Sequence, residues 1–69
     1  MNEKIGKLIK ELRIKKGLTL EKLAYVSDFS KGGLSEVERG LREIKLSTLE
    51  KICSTLEISL SDFFKYYED

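Results

Sequence analysis

With 69 residues, 41% of them hydrophobic and 36% charged, the chain has enough apolar content for one small globular domain and too much for a disordered one. A single Cys excludes an internal disulfide. The lack of His, of metal-ligand spacing and of a phosphate-cradling Gly loop argues against an enzyme, a bound metal or a cofactor.

No stretch approaches the ~18 apolar residues of a membrane span. The opening Met1-Asn-Glu-Lys4 carries no signal-peptide h-region. One cytoplasmic domain over residues 1–69 is therefore expected, with no membrane or small-molecule partner. Pro, Trp and alternating apolar/polar runs are all missing, which makes the fold class all-α.

The first helix is expected over roughly Glu3 to Lys16. Ile5, Leu8, Ile9 and Leu12 fall at i, i+3, i+4 and i+7, a single apolar stripe. Glu3 near its start and Lys15-Lys16 near its end complement the helix dipole, and Gly17 supplies a left-handed stop. Ile14 lies off the stripe, and Leu18 is expected to point into the core.

From Thr19 to Gly40 the chain reads as two short helices and a tight turn. Thr19 is an N-cap, and Leu23, Ala24 and Val26 mark the first of the pair. Ala24 is small enough for two helices to cross closely. Ser27-Asp28 breaks the pair, Ser30 caps the second helix, Leu34 and Val37 share one face, and Gly40 stops it. Such a unit offers the free face of its second helix to a groove, the arrangement of DNA-binding helix-turn-helix proteins.

A loop from Gly40 to Lys45 leads to a fourth helix starting near Leu46, with Leu49, Ile52, Cys53 and Leu56 inward. Its cap has two candidates: Ser47 and Glu50 have capping-box spacing, yet Leu46 looks already helical. Cys53 reads as a small buried hydrophobe. Ser59, with Asp62 three residues on, caps a fifth helix that carries Leu60, Phe63 and Phe64 and ends in Tyr66-Tyr67-Glu68-Asp69. Five short helices make a bundle without repeats or linkers.

Net charge is only +1, but it is polarised. Residues 1–22 carry seven basic side chains against three acidic, whereas residues 46–69 carry two against five. A basic front could face a polyanion, and an ordinary solvated helix surface accounts for it equally well.

The frame Leu12-Arg13, Gly17-Leu18-Thr19, Leu23-Ala24, Leu34-Ser35, Val37-Glu38-Arg39-Gly40, Leu49 and Phe63-Phe64 resembles the Cro/repressor-type (XRE) helix-turn-helix family of bacterial and phage regulators. The resemblance runs from Ile5 to Phe64. Ala24-Tyr25, Ser27-Asp28 and Glu38-Arg39 look most like the controller proteins of restriction–modification systems, small dimeric regulators of their own and the endonuclease promoter. A compact five-helix, lambda-repressor-like DNA-binding domain is implied.

The resemblance also implies roles. Arg13 and Glu38 match a pair joining helix 1 to helix 3. Thr19, Ser30, Lys31, Gly32, Ser35, Glu36, Arg39 and Arg42 match DNA-contacting positions. Among them Lys31 suits guanine O6 or N7, Glu36 suits cytosine N4, and Arg39 and Arg42 lie where the loop meets the backbone. A homodimer on a palindromic operator follows, because one helix reads too few bases. Helices 4 and 5, about 46–67, would supply the contact through Ile44, Leu60, Phe64, Tyr66 and Tyr67, unless the aromatics merely cover the core.

Three departures stand out. Leu20 replaces the usual phosphate-contacting Gln, and Asp28 replaces the usual left-handed Gly. Gly32-Gly33 opens the recognition helix, either to let it approach DNA closely or because first-turn positions need few contacts. These departures and the small net charge support an alternative. An antitoxin or repressor antagonist would keep the fold with weakened DNA contacts.

Overall fold

The computed structural model describes residues 1–68; Asp69, the last residue of the acidic tail, lies outside the described residues. The chain forms α1 (Asn2–Lys15), α2 (Leu20–Val26), α3 (Lys31–Glu38), α4 (Leu46–Thr55) and α5 (Leu60–Glu68), with no strand among the described residues.

One joint is built three times. A left-handed residue ends a helix, an apolar residue follows, and a Ser or Thr caps the next helix. The three versions are Gly17-Leu18-Thr19, Asp28-Phe29-Ser30 and Glu57-Ile58-Ser59, with φ of 73°, 55° and 59° at the first position. In each, the apolar residue's amide reaches back to a carbonyl of the helix just ended: Leu18 N to Arg13 O at 3.0 Å, Phe29 N to Ala24 O at 2.9 Å, Ile58 N to Cys53 O at 3.0 Å. The hydroxyls then accept from the amides of Lys22, Gly33 and Asp62, each at 3.0 Å. The joints thus satisfy orphaned carbonyls on one side and orphaned amides on the other. Although the residue sequence lacks repeats, its punctuation repeats.

The boundaries keep close to the expected ones, and α4 settles the choice of cap. α1 starts at Asn2 behind Met1, with no side-chain cap bond. α4 takes Lys45 as N-cap, so Ser47 is already helical and its spacing to Glu50 does not make a capping box. α5 continues through both tyrosines to Glu68.

The core draws Ile9 from α1, Leu23 and Ala24 from α2, Leu34 and Val37 from α3, Leu49, Ile52 and Cys53 from α4, and Phe63 from α5. Ile5, Leu8 and Leu12 flank it half-buried, and Ile14 is exposed as its position off the stripe requires. α1 crosses the end of α3 so closely that a Cβ at Gly6 would lie 2.0 Å from the Val37 carbonyl oxygen. Only glycine permits that crossing, which braces the back of α3. α4 supports the end of α2 through a half-buried hydroxyl pair. Thr55 Oγ1 donates to Lys51 O at 3.0 Å, so Ser27 Oγ, 3.4 Å away, acts as donor to Thr55.

Candidate nucleic-acid interface

α3 has two distinct sides. At about 100° per residue, Lys31, Gly32, Ser35, Glu36 and Arg39 fall within an arc of roughly 140°. Of these only Ser35 is partly covered; the others are exposed. Gly33, Leu34 and Val37 face the opposite way and are buried. Glu38 is turned inward to Arg13. Arg13 Nε donates to Glu38 Oε2 at 2.7 Å and Nη2 to Oε1 at 3.1 Å, while Nη1 donates to the Leu18 carbonyl at 2.9 Å. The two side chains are 12% and 6% exposed, so this fork bolts α1, the first joint and the end of α3 together.

The free side carries mixed charge. Lys31 Nζ is 3.5 Å from Glu21 Oε1, so α2 tethers the first side chain of α3. Arg42 Nη1 is 3.5 Å from Glu36 Oε1, and its guanidinium lies over the Phe29 ring, 5.6 Å from the centroid. Both ion pairs are long and solvated, worth at most about 1 kcal/mol, so Lys31, Glu36 and Arg42 can exchange them for other partners. Thr19 and Ser30 are exposed at the starts of α2 and α3, where each hydroxyl also holds its cap.

The departures acquire physical reasons. Leu20 is half-buried against the core, an apolar role that a phosphate-contacting Gln would not fill. Asp28 adopts the left-handed turn (φ 55°) at the modest cost its short polar side chain allows. The two glycines separate. A Cβ at Gly32 would meet nothing within 4 Å, whereas at Gly33 it would lie 2.7 Å from Ser30 Oγ, 2.8 Å from Arg42 Nη1 and 3.2 Å from Phe29 Cζ. Gly33 is therefore a packing position, and only Gly32 opens onto solvent.

The five apolar positions expected to form a contact between copies are spread out. Ile44 lines a hollow with Phe29, Arg42 and Thr48. Leu60 is half-buried against the core, and the ring of Phe64 meets those of Phe63 and Tyr67 edge-on at 5.5 and 6.1 Å. Tyr66 and Tyr67 lie along α1, with Lys4 Nζ 4.6 Å from the Tyr67 ring centroid. Phe64 and Tyr66 remain exposed, and so do Leu41 and Leu46 at either end of the loop, which sequence reasoning passed over. Glu21, Phe29 and the packing role of Gly33 were also missed. Glu21 pairs with Lys31 and Phe29 with Arg42 across a turn or a loop, and Gly33 is crowded by Arg42 as well as by nearby Phe29 and Ser30, so no local pattern marks these roles.

Cys53 is 2% exposed, and burial pushes its thiol up to about 11, so it stays protonated and inert at neutral pH. Among the described residues no group of His, Cys, Asp or Glu is placed to hold a metal ion, and no helix is long and apolar enough to cross a membrane.

The family model described as Helix-turn-helix matches residues 9–63. The chain belongs to this family, in its Cro/repressor (XRE) branch. It is 31% identical over 62 residues to control protein C.BamHI of Bacillus amyloliquefaciens, covering 88% of this chain and 76% of that protein. It is 38% identical over 61 residues to the HTH-type transcriptional regulator SlrR of Bacillus subtilis, covering 87% of this chain but only 40% of SlrR. The chain likewise spans 54% of the transcriptional regulator ClgR of Mycobacterium tuberculosis, at 34% identity over 61 residues and 88% of this chain. Among solved structures, the clp gene regulator ClgR of Corynebacterium glutamicum superposes with a TM-score of 0.93 at 36% identity, over 97% of this chain and 71% of that one. The restriction–modification controller protein C.Esp1396I, solved as a tetramer in complex with its natural 35-base-pair operator, superposes with a TM-score of 0.87 at 36% identity, over 96% of this chain and 87% of that one.

Proposed function

We propose that this chain is a cytoplasmic, sequence-specific double-stranded-DNA-binding regulator of transcription that acts as a homodimer on a palindromic operator, in the manner of a restriction–modification controller protein. The observation that carries the reading is the free side of α3: a capped helix, braced from behind at Gly6 and Arg13–Glu38, with a polar arc that nothing in its own fold covers. A rigid helix with an uncovered polar face suits the major groove, which is wide enough to admit it. The likeness to C.Esp1396I, whose structure includes its operator, supports the same reading, as does the 76% of C.BamHI that this chain spans.

In this account Lys31, Ser35 and Glu36 face the groove, with Lys31 and Glu36 reading base edges, while Thr19, Ser30, Arg39 and Arg42 contact the backbone and Gly32 lets the helix approach. The molecule measures 27 Å in its longest direction, less than the ~34 Å between successive half-sites, so two copies fit on one face of a duplex without clashing. Exposed Phe64, Tyr66, Leu41 and Leu46, with Ile44, Leu60 and Tyr67, offer the apolar area such a pair needs.

Selection of bound duplexes from a random pool tests this. Lys31→Ala and Glu36→Ala should each relax the preference at particular base pairs. Wild-type affinity should fall with salt at a log–log slope of about −0.9 per phosphate neutralised. A protein that enriches no duplex and shows no salt slope is not such a regulator, and an antitoxin or repressor antagonist binding another protein would then fit better.

A further inference from the structure

Two residues set the second joint apart from its siblings. The apolar position is aliphatic in the first and third joints, Leu18 and Ile58, but aromatic in the second, Phe29. The residue whose amide bonds to the cap is Lys22 in the first joint and Asp62 in the third, but Gly33 in the second. Neither change is required by the joint itself. The backbone bonds and cap distances agree within 0.1 Å across all three. A staple residue needs only apolar surface, and a Gly in a first helical turn weakens the helix.

Both changes converge on one group, the Arg42 guanidinium. It lies over the Phe29 ring, 5.6 Å from the centroid, and its Nη1 is 2.8 Å from where a Cβ at Gly33 would sit, a space that the Ser30 cap oxygen also borders at 2.7 Å. Glu36 Oε1 is 3.5 Å from the same Nη1 and holds it from the groove side. On the other side an open hollow of about 500 Å³, lined by Phe29, Glu43, Ile44, Lys45 and Thr48, would let an untethered Arg42 lie elsewhere. An aromatic face under the cation and a missing side chain beside it bias the arm toward α3.

We propose that Phe29 and Gly33 are positioning residues for Arg42, which they hold over the first turn of α3 so that its guanidinium meets a DNA phosphate as the helix enters the groove. The proposal rests on the DNA-binding reading above and adds two positions to it, neither of which touches DNA. Holding the arm in place before binding removes part of the ordering cost that a free side chain incurs on contact.

The test uses the full chain, a short duplex of random sequence as probe, and binding measured across a salt series. Arg42→Ala should weaken binding to all sequences alike and flatten the log–log salt slope by about 0.9. Phe29→Leu, which substitutes the residue of the first joint, should weaken binding by about two- to five-fold, the range a solvated cation–π contact spans. Phe29→Tyr should restore it. Gly33→Ala should behave like Phe29→Leu. In the Arg42→Ala background, neither Phe29→Leu nor Gly33→Ala should cost anything further. Equal losses in both backgrounds would mean that the two residues serve only the fold, and would overturn the proposal while leaving DNA binding intact. A wild-type protein without salt-dependent duplex binding would remove the regulator reading and this proposal together.

Discussion

The joint between α2 and α3 and the joint between α4 and α5 share their backbone, yet the helices they launch differ in kind. After Ser30 comes a helix whose outer side is Lys31, Gly32, Ser35, Glu36 and Arg39; after Ser59 comes one whose outer side includes Phe64 and Tyr66. The joint decides where a helix starts and which way it runs, and the side chains on its free face decide what it meets. In the function proposed above, the polar face meets DNA and the aromatic one a second copy.

Substitutions at matched positions sharpen that contrast. The largest effect should come from anchors. Phe63 is fully buried beneath α5, and Phe63→Ala should cost about 3–5 kcal/mol in urea unfolding, a large share of the roughly 5–15 kcal/mol a domain possesses. Arg13→Ala, which leaves Glu38 facing the interior alone, should cost about 3 kcal/mol in the same assay. On α5, Phe64→Asp also gives up the ring's contacts with Phe63 and Tyr67, so it should cost about 1–2 kcal/mol and shift sedimentation from dimer to monomer. Operator affinity should fall with it.

The caps provide the sharpest contrast. Ser30→Ala and Ser59→Ala each remove one cap bond of 3.0 Å and should each destabilise by about 1 kcal/mol. Only Ser30→Ala should weaken DNA binding beyond what lost stability explains; equal binding losses would erase the division of labour.

The smallest effects concern the left-handed residues. Asp28→Gly and Glu57→Gly should both raise the melting temperature. Glu57→Gly should gain more, because Asp tolerates that conformation better than Glu. The Lys16 ammonium also hydrogen-bonds Glu57 and holds its carboxyl below the ordinary value of 4.5. A carboxyl depressed in the folded state adds stability above its unfolded pKa and loses it as pH falls through the folded pKa. Lys16→Ala should therefore return the Glu57 titration, followed by NMR, to the ordinary range and remove a little stability at neutral pH, a difference that vanishes as pH falls through the Glu57 titration.

Most of the fold was legible because its signals are local. The α1 stripe, the caps at Thr19, Ser30 and Ser59, and the stops at Gly17 and Gly40 each occupy a few consecutive residues, and the five helices follow from them. The errors lie where a choice depends on distant chain. Gly6 makes a close crossing that was not anticipated, and only the position of Val37 reveals it. Glu57 has no propensity for a left-handed turn; the packing on either side imposes it. The positions named on α3 share one face because helical spacing alone puts them there. Phe29, Gly33 and Arg42 form a unit only once the loop has folded back over α3, and no spacing rule encodes that.

The central claim is that the outer side of α3 lies in the major groove. It is tested most directly by tethering a DNA-cleaving iron chelate to single cysteines at Glu43, exposed in the loop that follows α3 and given no DNA contact, and at Lys65 on α5; buried Cys53 will not compete for the label. Cleavage of bound duplex from the Glu43→Cys protein and none from Lys65→Cys is the predicted result. Cleavage from Lys65→Cys with silence at Glu43→Cys would contradict it.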